Sequence, residues 1–278
     1  MKIVSYYILI CFIFGMYSCR EAPARGHSRN EYHEKIELKG DDDVCKKLAI
    51  STKALEIPAY KASDDNILIS RKRYTTLYNV HNKIPDWVAW QLKPQHIDGP
   101  YKRFGVYLED FSVPSPRANE DDYRGSKWSH GHMCPAGDNK WDEEAMRESN
   151  LFTNICPQNR SLNSGVWNRL EQSCRVWAKK YGDLFIVCGP VLLNKEHETI
   201  GVNKVVVPEA FFKVILCLQG TPKAIGFVIR NNDGKKKRDQ FVNTIDEVER
   251  ITGIDFYPAL PDSIEDVVES YSNLDDWK

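Results

Sequence analysis

The sequence predicts an α+β domain with a mostly antiparallel central sheet flanked by helices. Three observations carry this. Short runs rich in β-branched and aromatic residues recur from Tyr74 to Ile229, beginning with 74–80 and 87–92. Turn formers separate neighbouring runs, as in Asn82-Lys83-Ile84-Pro85-Asp86 and Asn232-Asp233-Gly234. Few helical patterns intervene between the runs, which favours hairpin connections over a doubly wound parallel sheet.

The elements follow in order. Residues 1–19 read as a targeting segment: Lys2 supplies a basic start, Ile3 to Tyr17 is almost wholly apolar, and Ser18-Cys19 precedes a polar stretch. The apolar run is short for a membrane span and resembles a secretory signal peptide. Cleavage before Cys19 would leave that residue as a lipid-bearing terminus, as in a bacterial lipoprotein. The expectation is therefore an exported protein, periplasmic, lipid-anchored in the cell envelope or extracellular. Residues 20–70 read as a charged tether and N-terminal extension, with Asp41-Asp42-Asp43 as a solvated turn. The domain is expected at 71–278. It opens with the hairpin of 74–80 and 87–92, followed by Phe104 to Phe111 and a loop carrying Pro114 and Pro116. Leu184–Cys188, Val205–Val207, Phe211–Leu218 and Ala224–Ile229 are further strands. Thr244 and Glu247 form a capping-box pattern for a helix that Gly253 ends. A last helix, 263–271, aligns Ile264, Val267, Val268 and Tyr271 on one face.

Net charge is −1, with 42% hydrophobic and 28% charged residues. That balance gives no bulk attraction to a polyanion, so a nucleic-acid site must be a local basic patch. Lys235 to Arg238 is one basic run, read most simply as a solvated loop. Cys45, Cys134, Cys156, Cys174, Cys188 and Cys217 remain outside the targeting segment. Several lie in apolar strands, where buried free thiols are the simplest reading, and disulfides are the alternative in an exported chain.

The candidate chemistry lies between Trp128 and Trp177. On a strand, His130 and His132 would point to the same side. They could begin a zinc site, but no third ligand follows at the needed spacing; one of them could instead be a general base. Asn163, Trp167, Glu171 and Arg175 follow at intervals of four, a slowly drifting stripe on one helix. Val166, Leu170, Cys174 and Trp177 form the neighbouring apolar stripe. Asn163 is either a helix cap or a neutral oxygen ligand to a hard cation. Glu171 and Arg175 on their own read as an ordinary i,i+4 pair.

At these residues the chain resembles the DNA/RNA non-specific endonucleases, bacterial exported members among them. Their ββα-metal finger site carries D-R-G-H followed by N-x-x-x-W-x-x-L-E. Ser129-His130-Gly131-His132 stands at the first motif, and Asn163 to Glu171 matches the second in full. Further similar stretches are 87–90, 188–191, 207–214 and 252–260. The resemblance implies Mg²⁺, with Mn²⁺ as a substitute, and DNA and RNA as substrates. It implies His132 as the base that activates water and Asn163 as the direct metal ligand. Asn154 would help orient His132 or its water, Glu171 would hold waters around the metal, and Arg175 and Arg103 would grip phosphate. The chain departs from the pattern at Ser129 and His130. The missing arginine takes away a fixed positive charge, which His130 replaces only when protonated. Two alternatives stay open: a phosphodiesterase of another substrate class on the same site, and a nucleic-acid-binding protein with weakened catalysis. A membrane contact is expected only through a lipid on Cys19.

Overall fold

The computed structural model describes residues 54–61 and 63–278. The targeting segment, Cys45 and most of the tether lie outside the described residues. A seven-stranded sheet runs in the order β1-β2-β3-β6-β9-β10-β11. Its strands are β1 (Asn66–Ser70), β2 (Thr75–Asn79), β3 (Ile84–Leu92), β6 (Leu184–Val191), β9 (Ala210–Cys217), β10 (Lys223–Arg230) and β11 (Val242–Asn243). Every neighbouring pair is antiparallel, as the strand-rich sequence predicts. The remaining strands are two short pairs, β4 (Ser129–His132) with β5 (Ile155–Gln158) and β7 (Thr199–Ile200) with β8 (Val205–Val206). The helices used below are α1 (Glu120–Tyr123), α2 (Glu143–Glu148), α3 (Asn168–Tyr181), α4 (Ile245–Thr252) and α5 (Asp262–Ser270).

The central strands are buried on both faces, so they read as near-continuous apolar runs, and alternate residues feed two cores. Trp90, Ile186, Phe211, Ile215 and Phe227 join the core shared with Leu170, Cys174 and Trp177 of α3. Trp87, Val187, Val214 and Leu216 join a second core with Val248 of α4 and Val268 of α5. The sheet is thus a wall that separates the β4, β5 and α3 side from the α4 and α5 side.

Several local expectations shift. Asn66–Ser70, within the stretch read as tether and N-terminal extension, pairs with β2 as the edge strand. Ile84 to Asp86, read as turn, already belongs to β3. Phe104 to Phe111 forms no strand, and its one β-bridge joins Leu108 to Leu151. Thr244 caps α4 by accepting from Glu247 N, and Gly253 ends it at φ 71°. On α5 the buried face is Val268 and Glu269, with Ile264 packed beside it, while Val267 is 57% and Tyr271 49% exposed. The five described cysteines are buried free thiols.

Candidate active site

A cleft of about 860 Å³ opens beside β4 and α3. Of the residues assigned from sequence, His130, His132, Asn163, Glu171, Arg175 and Arg103 all line it. Asn154 does not.

Strand β4 delivers the histidines. Gly131 lies between them because a Cβ there would meet the Gln158 side chain at 2.6 Å across the β4–β5 pair. His132 is 4% exposed, and its Nε2 lies 2.8 Å from Asn150 Oδ1. Asn150 Nδ2 donates to Phe104 O at 3.0 Å, which turns the amide oxygen toward the ring. Nε2 therefore carries the proton, and Nδ1 keeps its lone pair. Burial holds the His132 pKa down to about 4, against a smaller opposing effect of Asn150, so the ring is neutral near pH 7.

Asn150, and not Asn154, is the asparagine that touches His132. The Asn154 carboxamide is spent on backbone: Oδ1 accepts from Cys134 N, and Nδ2 donates to Cys134 O and Ser149 O. It fixes the turn after β4 rather than touching His132. The sequence spacing did not separate the two asparagines, because the turn between α2 and β5 decides which one faces the cleft.

His130 also differs from its expected role. Its ring is stacked between Tyr107 at 4.0 Å and Tyr123 at 4.3 Å. Nε2 lies 3.1 Å from Glu120 Oε2 on α1, off the line of a good hydrogen bond. Burial lowers its pKa despite the raising effect of Glu120, so His130 does not supply a fixed positive charge at neutral pH. The two histidines face different partners and do not converge as zinc ligands.

Asn163 is not the helix cap. Asn159 fills that place, its side chain accepting from Ser161 N. Between Asn163 and Trp167 the helix widens into a π turn, kinked at Gly165, before α3 begins. A Cβ on Gly165 would lie 2.4 Å from Gly234 O, so glycine lets two backbones meet. Freed from capping, Asn163 Nδ2 donates to Ser129 Oγ at 3.1 Å and to His130 O at 3.0 Å. Both amide hydrogens are thereby used, and Oδ1 is the end left toward the cleft. Ser129, in turn, donates to Gln158 O at 2.7 Å and holds this geometry.

Glu171 accepts no hydrogen bond among the described residues. Burial pushes its pKa up to about 7, opposed by Lys213, Arg175 and Arg103. Arg175 does not pair with it directly; its Nη1 donates to the buried Asp138 at 2.8 Å, and Asp138 also accepts from Trp90 Nε1 at 3.2 Å. Arg103 is exposed at the rim, 3.5 Å from the Tyr107 hydroxyl. Together Arg103, Lys140, Arg160 and Arg175 give the cleft four cationic side chains against the single carboxylate of Glu171. This is the local basic patch that the net charge required.

The donor set fits a hard divalent ion: an oriented carboxamide oxygen and a carboxylate lacking hydrogen bonds. Among the described residues, the group of three carboxylates close enough to hold a divalent cation is Asp246, Glu249 and Glu269. None of these lines the cleft.

The chain is similar to known nucleases. The family model described as DNA/RNA non-specific endonuclease matches residues 51–263. The mitochondrial nuclease EXOG of Mus musculus is 36% identical over 210 residues, covering 68% of this chain and 57% of that protein. Mitochondrial endonuclease G of Homo sapiens is 31% identical over 208 residues, covering 69% and 70%. A solved EndoG/EndoGI complex, describing the mechanism of EndoG inhibition, matches with a TM-score of 0.67 at 25% identity. The match covers 74% of this chain and 91% of that one. The chain therefore spans little more than half the length of the EXOG relatives. These relatives correct one set of expectations. The reading as a bacterial exported protein, with signal peptide, lipid anchor and envelope or extracellular location, is overturned by likeness to mitochondrial nucleases of animals. A short apolar leader is too generic a signal to outweigh that likeness.

Proposed function

The chain belongs to the DNA/RNA non-specific endonuclease family. On that premise we propose that it is a divalent-metal-dependent endonuclease hydrolysing DNA and RNA phosphodiesters with little sequence preference. The observation that carries this reading is the pairing of two oriented groups in one basic cleft: neutral His132, fixed by Asn150, and Asn163, its oxygen left free by Ser129 and His130.

His132 is the general base. With Nε2–H held by Asn150, its Nδ1 lone pair takes the proton from the attacking water, and the Asn150 oxygen steadies the imidazolium that forms. A phosphate beside the ring would oppose the effects of burial and of the Arg103 charge, making the ring more basic. Asn163 would bind Mg²⁺ directly, and Glu171 would hold its waters; Mn²⁺ offers the same hard chemistry. When bound, the ion supplies charge neutralisation at the scissile phosphate and the leaving 3′ oxygen. Arg175, braced by Asp138, and Arg103 at the rim hold non-bridging phosphate oxygens. Contacts of this kind address the backbone and not base edges, which explains weak sequence preference.

The test is incubation of the protein with plasmid DNA and with total RNA, in Mg²⁺ and in chelator. Metal-dependent loss of both polymers is expected. Binding without cleavage would instead identify a nucleic-acid-binding protein weakened by the Ser129 and His130 changes. Cleavage of small phosphodiesters alone would shift the substrate class.

A further inference from the structure

We propose that Asp246, Glu249 and Glu269 form a binding site for a hard divalent cation of the calcium class, which ties α4 to α5. The site lies outside the cleft and does not depend on the nuclease reading.

Asp246 and Glu249 stand one turn apart on α4, and Glu269 comes from α5. One ligand oxygen from each lies within 4.8 Å of the others. That spread suits an ion held at oxygen distances of roughly 2.4 Å, the calcium range. The donors are all carboxylate oxygens, which a hard cation selects over softer metals.

A group of carboxylates alone would be no more than a solvated acidic surface. Glu269 makes the difference. It is 7% exposed, and its Oε1 is buried without a hydrogen-bond partner. It sits beside Val268 on the face that α5 turns toward the core, where an apolar residue is expected. A carboxylate taken out of water needs a cation, a donor or a proton. The charged groups acting most strongly on Glu269 are all carboxylates: Glu249, Glu265, Asp246 and Asp255. Glu249 likewise feels Asp255, Asp246 and Glu265, and its one donor, Phe256 N at 2.7 Å, occupies only Oε1. The nearby Arg250 is turned away into a pair with Glu247. Among the described residues, then, three acidic groups crowd together with no cationic side chain paired to any of them. A bound divalent ion removes that repulsion and pins together the two helices that close the second core.

The experiment is calorimetric Ca²⁺ titration of the chelator-treated full chain, alongside its thermal midpoint with and without Ca²⁺. Wild type should bind one ion at this site, and its midpoint should rise by about 5 °C at a hundredfold excess over the dissociation constant. Asn163→Ala, altered in the cleft, should keep the rise. Glu269→Gln should abolish it, and so should Asp246→Asn at an exposed position that folding tolerates. The proposal is overturned if wild type shows no rise, which would leave Glu269 as a protonated carboxyl only. It is equally overturned if the rise survives both carboxylate substitutions or disappears in Asn163→Ala.

Discussion

At the residue scale, the roles of His132, Asn150 and Asn154 are separable. Replacing His132 with alanine removes the proposed base, so turnover should fall roughly a hundredfold or more, with metal affinity nearly unchanged. Asn150→Ala should cost less, about tenfold, and should also alter the pH–rate profile, because the ring loses the acceptor that fixes its tautomer. Asn154→Ala should act mainly on stability. It orphans three backbone groups around the turn after β4, at a cost of order 2–4 kcal/mol in denaturant unfolding. If Asn154→Ala kept full stability but lost catalysis, Asn154 would regain its place beside the base. His132 also makes stability depend on pH. Its folded pKa of about 4 lies below the ordinary 6.5, so between these values the unfolded chain binds the extra proton. Its stabilising contribution is whole above pH 6.5 and is lost as pH falls toward 4, up to about 3 kcal/mol. Urea unfolding of wild type and His132→Phe across pH 4–7 checks this; equal pH slopes in the two proteins would contradict it.

At the element scale, the turn from Asn159 to Trp167 is what keeps Asn163 from capping the helix and leaves its Oδ1 toward the cleft. Gly165 permits it, since Gly234 O occupies the space that a side chain would need. Gly165→Ala should push the basic loop away or straighten the π turn, destabilising by about 1–3 kcal/mol. Metal affinity should fall with it, because the Asn163 oxygen is displaced. Calorimetry with Mg²⁺ on this variant separates the two effects; an unweakened affinity would mean that the turn does not position the ligand. The interval-of-four reading of Asn163, Trp167, Glu171 and Arg175 foresaw a shared side but not the kink. Hydrophobic periodicity reports which face is buried, and Val166, Leu170, Cys174 and Trp177 are all buried as the stripe implied. It carries no information on a widened turn, whose cause lies at Gly234, far along the chain.

At the scale of the whole molecule, the near-neutral net charge conceals a basic cleft. If Arg103, Lys140, Arg160 and Arg175 all meet phosphates, the slope of log affinity against log salt should approach about −3.6 for duplex DNA. Lys140→Ala should weaken binding similarly for all sequences and reduce that slope by about 1. An unchanged slope would remove Lys140 from the track. The wall of β3, β6, β9 and β10 makes such local changes separable from the fold, because the cleft and the α4–α5 pair lie against different cores.

The sequence by itself determined the antiparallel α+β class, the two motifs by which the chain resembles its family, and the apolar stripe by which α3 packs. These follow from local patterns: runs rich in β-branched and aromatic residues, closely spaced turn formers, a helical repeat and residue types whose chemistry is their own. Tertiary structure decided what depends on contacts across the chain. It set Asn150 beside His132 and turned Asn154 to the backbone, stacked His130 between Tyr107 and Tyr123, and tied Arg175 to Asp138. It also buried Glu269 where the helical face had suggested Val267 and Tyr271. A side chain's charge state and partner depend on the desolvation and donors that surround it, and those are assembled only when distant segments meet.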